Sequence, residues 1–224
     1  VLRTMQGLAD TIRIFPLGEV VLFPGTFLPL HIFEPRYRKM FADSLDGDRS
    51  IGMVLIRSGT PSAEPGDADD PEVYPVGCGG RIVKHDPLPD GRSLVVLEGT
   101  LKFRIRRELD TEEPYRVVEP QALHEPPVPI DDMRAWREEL RGCVRDYVAA
   151  LDGDDDQIEK VFAKLEFERV VNYLCASLPL EVIEKQSLLE CTGPAERHRR
   201  LCEIVEFKAA EARLGLDSSR DLDA

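Results

Sequence analysis

Apolar residues in the first half of the chain come in short runs separated by Gly and Pro, the pattern of a curled, mostly antiparallel sheet. Strands are expected at Ile12 to Phe15, Val20 to Phe23 and Thr26 to Ile32, divided by Pro16-Leu17-Gly18 and Pro24-Gly25, with a fourth at Ile51 to Arg57. Gly79 to His85 and Ser93 to Glu98 flank Pro89-Asp90-Gly91. There Pro presets φ and Gly supplies positive φ, so the two runs form a hairpin. A further strand follows Gly99, in which Leu101, Phe103 and Ile105 alternate with Lys102, Arg104 and Arg106. That period of two predicts one buried face and one basic, solvated face. Tyr115 to Leu123 completes the sheet, and Gly77-Cys78-Gly79-Gly80 reads as a bulge or bend because β-type Ile82-Val83 follows it.

One helix interrupts this region, from about Pro35 to Leu45, with Pro at its first position and Tyr37, Met40, Phe41 and Leu45 as the stripe facing the sheet. Arg36, Arg38 and Lys39 sit at the positive end of its dipole, which costs roughly 0.3–1 kcal/mol each when exposed. A carboxylate should offset them, Glu34 being the nearest and a partner's carboxylate the functional alternative.

After Pro126-Pro127-Val128-Pro129 the period changes to that of helices, which marks a domain boundary. Met133, Trp136, Leu140, Cys143, Val144, Tyr147, Val148 and Leu151 lie on one stripe, and Asp131 or Asp132 is the expected cap. Ile158, Val161, Phe162 and Leu165 form a stripe opposed to that of Phe167, Val170, Val171, Leu174 and Leu178, so a break is expected near Glu166. A short helix over Leu180 to Leu189 and a last one from Gly193-Pro194 to about Leu214 follow, with a fraying tail. The chain therefore divides into a β domain (1–128), a helical subdomain (129–215) and a flexible tail (216–224).

At 224 residues the chain can bury a sizeable core, and no apolar run approaches the roughly 20 residues of a membrane helix. The first fifteen residues lack a secretory pattern. Val1 is expected to reflect an alternative start codon or a trimmed chain, with Met5 a candidate start. Net charge is 29 − 42 = −13, which disfavours nucleic acid and anionic membranes as partners and points to protein. Part of that acidity lies in Ser58 to Glu72, expected to be a mobile loop. Five cysteines, odd in number and never in a C-x-x-C pair, argue against a disulfide framework and a zinc site, and fit a reducing cytoplasm. The four histidines are isolated in sequence, so no metal or other cofactor is expected.

The chain contains no G-x-x-x-x-G-K-[ST], so the backbone cradle and lysine that bind nucleotide phosphates are missing. G-x-S-x-G, H-E-x-x-H and G-x-G-x-x-G are missing too, and no serine sits in a turn that would aim it at a lysine base.

Phe15 to Met40, FPLGEVVLFPGTFLPLHIFEPRYRKM, resembles the opening of the N-terminal, substrate-binding domain of the Lon protease family. GCGGRI at Gly77 to Ile82, Pro89-Asp90-Gly91-Arg92, Glu98-Gly99, Phe103-Arg104-Ile105, Leu178-Pro179-Leu180, Glu184-Lys185-Gln186 and Leu188-Leu189-Glu190 continue the likeness. It implies an α+β fold, a PUA-like antiparallel β pseudobarrel with one inserted helix followed by a C-terminal helical subdomain. It further implies a stand-alone, non-enzymatic module without Lon's ATPase and peptidase. Such a module would bind unfolded or hydrophobic protein segments, with a protease or chaperone as further partner and possible homo-oligomer contacts. The substrate-binding candidates are His31, Phe33, Glu34, Arg36 and Tyr37, expected to line a groove where the strand end, the helix start and the helical subdomain meet. Periodicity explains Phe33 and Tyr37 as core or interface, and His31, on the face of Pro29 and Phe33, as a buried imidazole. The competing readings are a PUA-like RNA-binding protein, with Lys102, Arg104 and Arg106 on phosphate, and a hydrolase with an unrecognised dyad.

Overall fold

The computed structural model describes residues 9–57, 71–153 and 156–215. The acidic stretch expected to be a loop falls almost wholly outside them, as do the alternative starts and the tail.

The described residues form two compact units, one from 1–124 with 179–190, the other from 125–178 with 191–224. In the first, the strands are β1 (Ile12–Leu17), β2 (Phe27–Ile32), β3 (Ser50–Leu55), β4 (Val76–Pro87), β5 (Ser93–Leu109) and β6 (Val117–Leu123). Their order is β2-β5-β4-β3-β1-β6, and β6 returns to pair with β5, so five strands close on themselves. β5 makes this closure possible by its length of 17 residues. Its first half pairs with β2 from Ser93 to Glu98, and its second half pairs with β6 from Lys102 to Leu109. The expected break at Gly99 is therefore an exchange of partners within one continuous strand. All pairings are antiparallel except β1 with β3. Ile12, Ile14, Val54, Phe103 and Val118 fill the interior.

Val20 to Phe23, expected as a strand, joins no ladder. Val21, Leu22 and Phe23 are buried, and the turn after them is fastened to β5: Gly25 N–H donates to Gly99 O at 2.8 Å, and Gly99 N–H to Thr26 O at 2.8 Å. A Cβ on Gly99 would strike the Phe23 carbonyl, so only glycine allows this approach. The run is apolar because it is buried, with Leu22 lying close to Gly80 and Gly99.

The expected basic face is also corrected. Lys102 is 2 % exposed because the helix Val182–Glu190 covers it, its ammonium donating to the carbonyl of Leu189, while Arg104 and Arg106 stay on the surface. Helix α1 (Pro35–Asp46) buries Tyr37, Met40, Phe41 and Ser44.

The second unit is helical: α2 (Ile130–Ala150), α3 (Asp156–Lys164), α4 (Phe167–Ser177) and α6 (Pro194–Arg213), while α5 (Val182–Glu190) belongs to the first unit. The N-cap of α2 is Pro129 instead of an aspartate, with Asp131 and Asp132 inside the first turn, where their charge still favours the dipole. The break between opposed stripes falls as the periodicity requires, with Glu166 at the N-cap of α4. Leu140, Val144, Val170, Val171, Leu174, Leu201 and Val205 form its buried interior. No helix among the described residues is long and apolar enough to cross a membrane.

Candidate functional site

Strand β2 is apolar on both faces, which a strand at a sheet edge does not need for folding. Leu28, Leu30 and Ile32 turn inward opposite Leu97, Val95 and Ser93, while Phe27, Pro29 and His31 stand opposite Glu98, Val96 and Leu94 on the outer face. Phe27 is 60 % exposed and Phe33, just past the strand, 58 %. On the neighbouring strands Leu94 is 47 % exposed, and Val83, the extra residue at the bulge between Ile82 and Lys84, is 43 % exposed. Isolated exposed apolar residues are ordinary, whereas these lie on paired strands, with Leu94 opposite His31 of β2 and the bulge at Val83 next to Val96 of β5. Ion pairs of Arg81 with Glu98 at 2.5 Å and Lys84 with Asp86 at 2.8 Å border them on β4 and β5.

The five candidates divide between this face and the helix start. His31 is exposed, its ring 5.9 Å from that of Phe33, which corrects the expected buried imidazole. Alternation placed the two side chains together correctly, but the shared face is the outer one. Glu34 pairs with Arg36 at 3.0 Å, and the Arg36 guanidinium lies 4.6 Å from the centre of the Tyr37 ring. Tyr37 is buried, its ring 4.2 Å from that of Phe15, so it anchors the helix start in the core.

Local carboxylates answer the basic first turn. Besides the Glu34 pair, Lys39 reaches Asp43 at 2.7 Å and Glu113 at 2.6 Å. Tyr115 donates its hydroxyl to Asp43 at 2.5 Å, and Lys39 and Tyr115 together hold that carboxyl below the usual range. Arg36 and Tyr37 also wall a cleft of about 440 Å³ with Pro16 and the β5–β6 connection. Within its lining the Arg116 guanidinium pairs with Glu108 at 2.7 Å. Among the described residues no group of three or more His, Cys, Asp or Glu is placed to hold a metal ion.

Sequence reasoning missed Phe27, Leu94 and Val83. The signal for Phe27 was present: it alternates with Pro29, His31 and Phe33, while Leu28, Leu30 and Ile32 satisfy the core. Val83 could not be seen, because the bulge that turns it outward is a property of the pairing.

The model of the family described as the ATP-dependent protease La (LON) substrate-binding domain matches residues 11–206. The chain is 28 % identical over 222 residues to the Lon protease of Parabacteroides distasonis, an alignment covering 92 % of this chain and 26 % of that protein. With the Lon protease of Flavobacterium johnsoniae it shares 27 % over 197 residues, 86 % of this chain and 23 % of the relative. It thus spans about a quarter of the length of these relatives. Among solved structures, the Lon N-terminal domain protein from Xanthomonas campestris aligns with a TM-score of 0.60 and 24 % identity over 88 % of this chain and 98 % of that one. The N-terminal domain of Mycobacterium avium complex Lon protease aligns with a TM-score of 0.66 and 13 % identity over 90 % and 98 %. At such identities these two speak to the fold, which they share with the barrel and helices described above. The chain belongs to the family of Lon substrate-binding domains.

Proposed function

We propose that this chain is a non-catalytic module that holds unfolded or hydrophobic polypeptide segments on the outer face of β2 and its flank. The observation that carries this reading is the row of Phe27, Phe33, Leu94 and Val83, exposed at 60, 58, 47 and 43 %. Burying one such side chain against a ligand contributes up to about 1.5–3 kcal/mol, so two or three together can hold a flexible segment reversibly. Phe33 and His31 make the contact, Glu34 and Arg36 form its polar rim, and Tyr37 fixes the helix start behind them. The face reads apolarity and no particular sequence, as capture of unfolded chains requires. In the cytoplasm the module serves proteolysis or quality control as an adaptor, handing the segment to a protease or chaperone. ATP has no part in the binding itself.

Fluorescence anisotropy with a labelled apolar peptide and a reduced, permanently unfolded protein tests this. Binding is expected without nucleotide, weakened at least tenfold by Phe27→Ser with Phe33→Ser, while the thermal midpoint stays within about 3 °C because both side chains are exposed. Undiminished binding by the double variant, or none by the parent up to millimolar concentration, rejects the reading.

A further inference from the structure

Helices α2 and α6 bring two buried cysteines face to face. The sulfur atoms of Cys143 and Cys202 are 2.8 Å apart although 59 positions separate them in sequence. That distance lies inside the ordinary van der Waals separation of two sulfurs and beyond the roughly 2.05 Å of a covalent bond. Both are free thiols, with their sulfurs within reach of one another. One turn before Cys202 stands His198, fully buried, with neither ring nitrogen hydrogen-bonded to an oxygen or a nitrogen. Positions four apart share a helix face, which puts the imidazole beside the Cys202 thiol. Trp136 stacks on that ring at 5.8 Å, Phe167 meets it edge-on at 5.5 Å, and a Glu139 oxygen lies 3.6 Å from Nε2. A buried imidazole with unused nitrogens costs stability unless it has other work.

We propose that Cys143 and Cys202 are a reversible disulfide site, oxidised by a hydroperoxide and reduced by a dithiol, with His198 taking the proton of Cys202. The Cys143 thiolate attacks a peroxide oxygen, the O–O bond breaks, the departing hydroxide takes up the proton released in forming the thiolate, and a sulfenic acid remains. The Cys202 sulfur, its proton passing to His198, then attacks the Cys143 sulfur. The S–S bond forms, the S–O bond breaks, and the leaving hydroxide takes the proton from His198 as a second water. Two thiols and one hydrogen peroxide give one disulfide and two waters, the sulfurs losing the two electrons that the peroxide gains. Thiol–disulfide exchange with a dithiol reverses the bond. Contact with Cys143 and burial push the Cys202 thiol above its usual range, against a smaller opposing pull from His198, so the attack by Cys202 is the one that calls on the neighbouring imidazole. The bond would tie α2 to α6 within the helical unit.

The full chain, treated while folded with stoichiometric hydrogen peroxide and then denatured for thiol titration, is expected to fall from five thiols to 5 − 2 = 3. Unreduced peptide mapping should show the Cys143–Cys202 link, dithiothreitol should restore all five thiols, and the oxidised chain should melt about 5–15 °C higher. Cys175→Ser should form the bond normally, and Cys143→Ser and Cys202→Ser should not. His198→Gln, checked for native circular dichroism, should slow closure at least tenfold and leave a sulfenic acid that dimedone traps. Persistence of all five thiols in the folded parent, a link between other cysteines, or over-oxidation of Cys143 without a link overturns the site. Closure at the parent rate in folded His198→Gln, or in a second variant His198→Phe, overturns the role of the imidazole.

Discussion

The ammonium of Lys102 donates a hydrogen bond to the backbone carbonyl of Leu189 at 3.0 Å and so fastens the end of α5 to strand β5. Gln186 adds a second tie, its amide donating to the carbonyl of Val76 at 3.0 Å. Lys102→Ala removes a charged donor from a site that is 2 % exposed and leaves a void. It should destabilise the chain by about 2–4 kcal/mol in urea unfolding, and Lys102→Met, which keeps the stem's packing, by less. Neither should change retention on an anionic resin at low salt. A loss of retention would restore the solvated basic row that the burial of Lys102 excludes.

The Tyr115 and Asp43 pair gives stability a dependence on pH with a defined sign. Asp43 is held below its usual range by Lys39 and Tyr115, so its contribution is present above the unfolded carboxyl value near 3.9 and is lost as pH falls through the lower folded value. Burial and the neighbouring Asp43 carboxylate raise Tyr115, so the phenol contributes below about pH 10 and its share is lost as pH rises through the higher folded value. Tyr115→Phe should cost about 0.5–1.5 kcal/mol at neutral pH and flatten both limbs of a plot of urea stability against pH. Equal slopes in parent and variant would mean that the 2.5 Å bond contributes nothing in solution.

Period-two and helical patterns were enough to place most strands and helices, because each rests on burial of neighbours in sequence. The elements that escaped depend on distant partners. Val20 to Phe23 reads as a strand, yet its ladder is refused by the Phe23 turn docking on Gly99. Lys102 reads as exposed because charged residues usually are, and only α5, some ninety positions later, gives its ammonium a buried acceptor. In the candidate site, the Glu34 to Tyr37 helix start was legible from Pro35 and the charge pattern. The facing of His31 was not, since β2 is apolar on both sides and alternation alone does not say which side is inward.

Among the described residues strand β2 has one open edge, and Pro29 sits in the middle of it. The Gly99 to Thr26 hydrogen bond fixes the alternation, so that Phe27, Pro29 and His31 turn their backbone groups away from β5. Proline there removes an outward N–H and blunts the edge against pairing with another strand. Pro29→Thr should restore that donor while leaving the β2–β5 ladder intact. The expected result is concentration-dependent association in size-exclusion chromatography with light scattering, at concentrations where the parent's mass is unchanged. A variant with the parent's elution and mass at every concentration would show that proline is not what guards the edge.

Arg197 is the largest fully buried side chain among the described residues, and it organises the start of α6. One guanidinium nitrogen donates to Asn172 on α4 at 2.6 Å, and another to the Glu125 carboxylate just before α2. Three segments of the helical unit therefore meet on one cation. Removing one member of a buried pair leaves the other charge desolvated and uncompensated, which costs more than the intact pair contributes. Arg197→Ala should lower urea stability by about 3–5 kcal/mol. Glu125→Gln keeps an acceptor and should cost less. Arg197→Met combined with Glu125→Gln removes both charges while keeping volume, so it should be less destabilising than the sum of the two single changes. The double-mutant cycle should give a coupling above about 1 kcal/mol. A coupling near zero would mean that Arg197 acts through packing volume, and Arg197→Met alone would then be as stable as the parent.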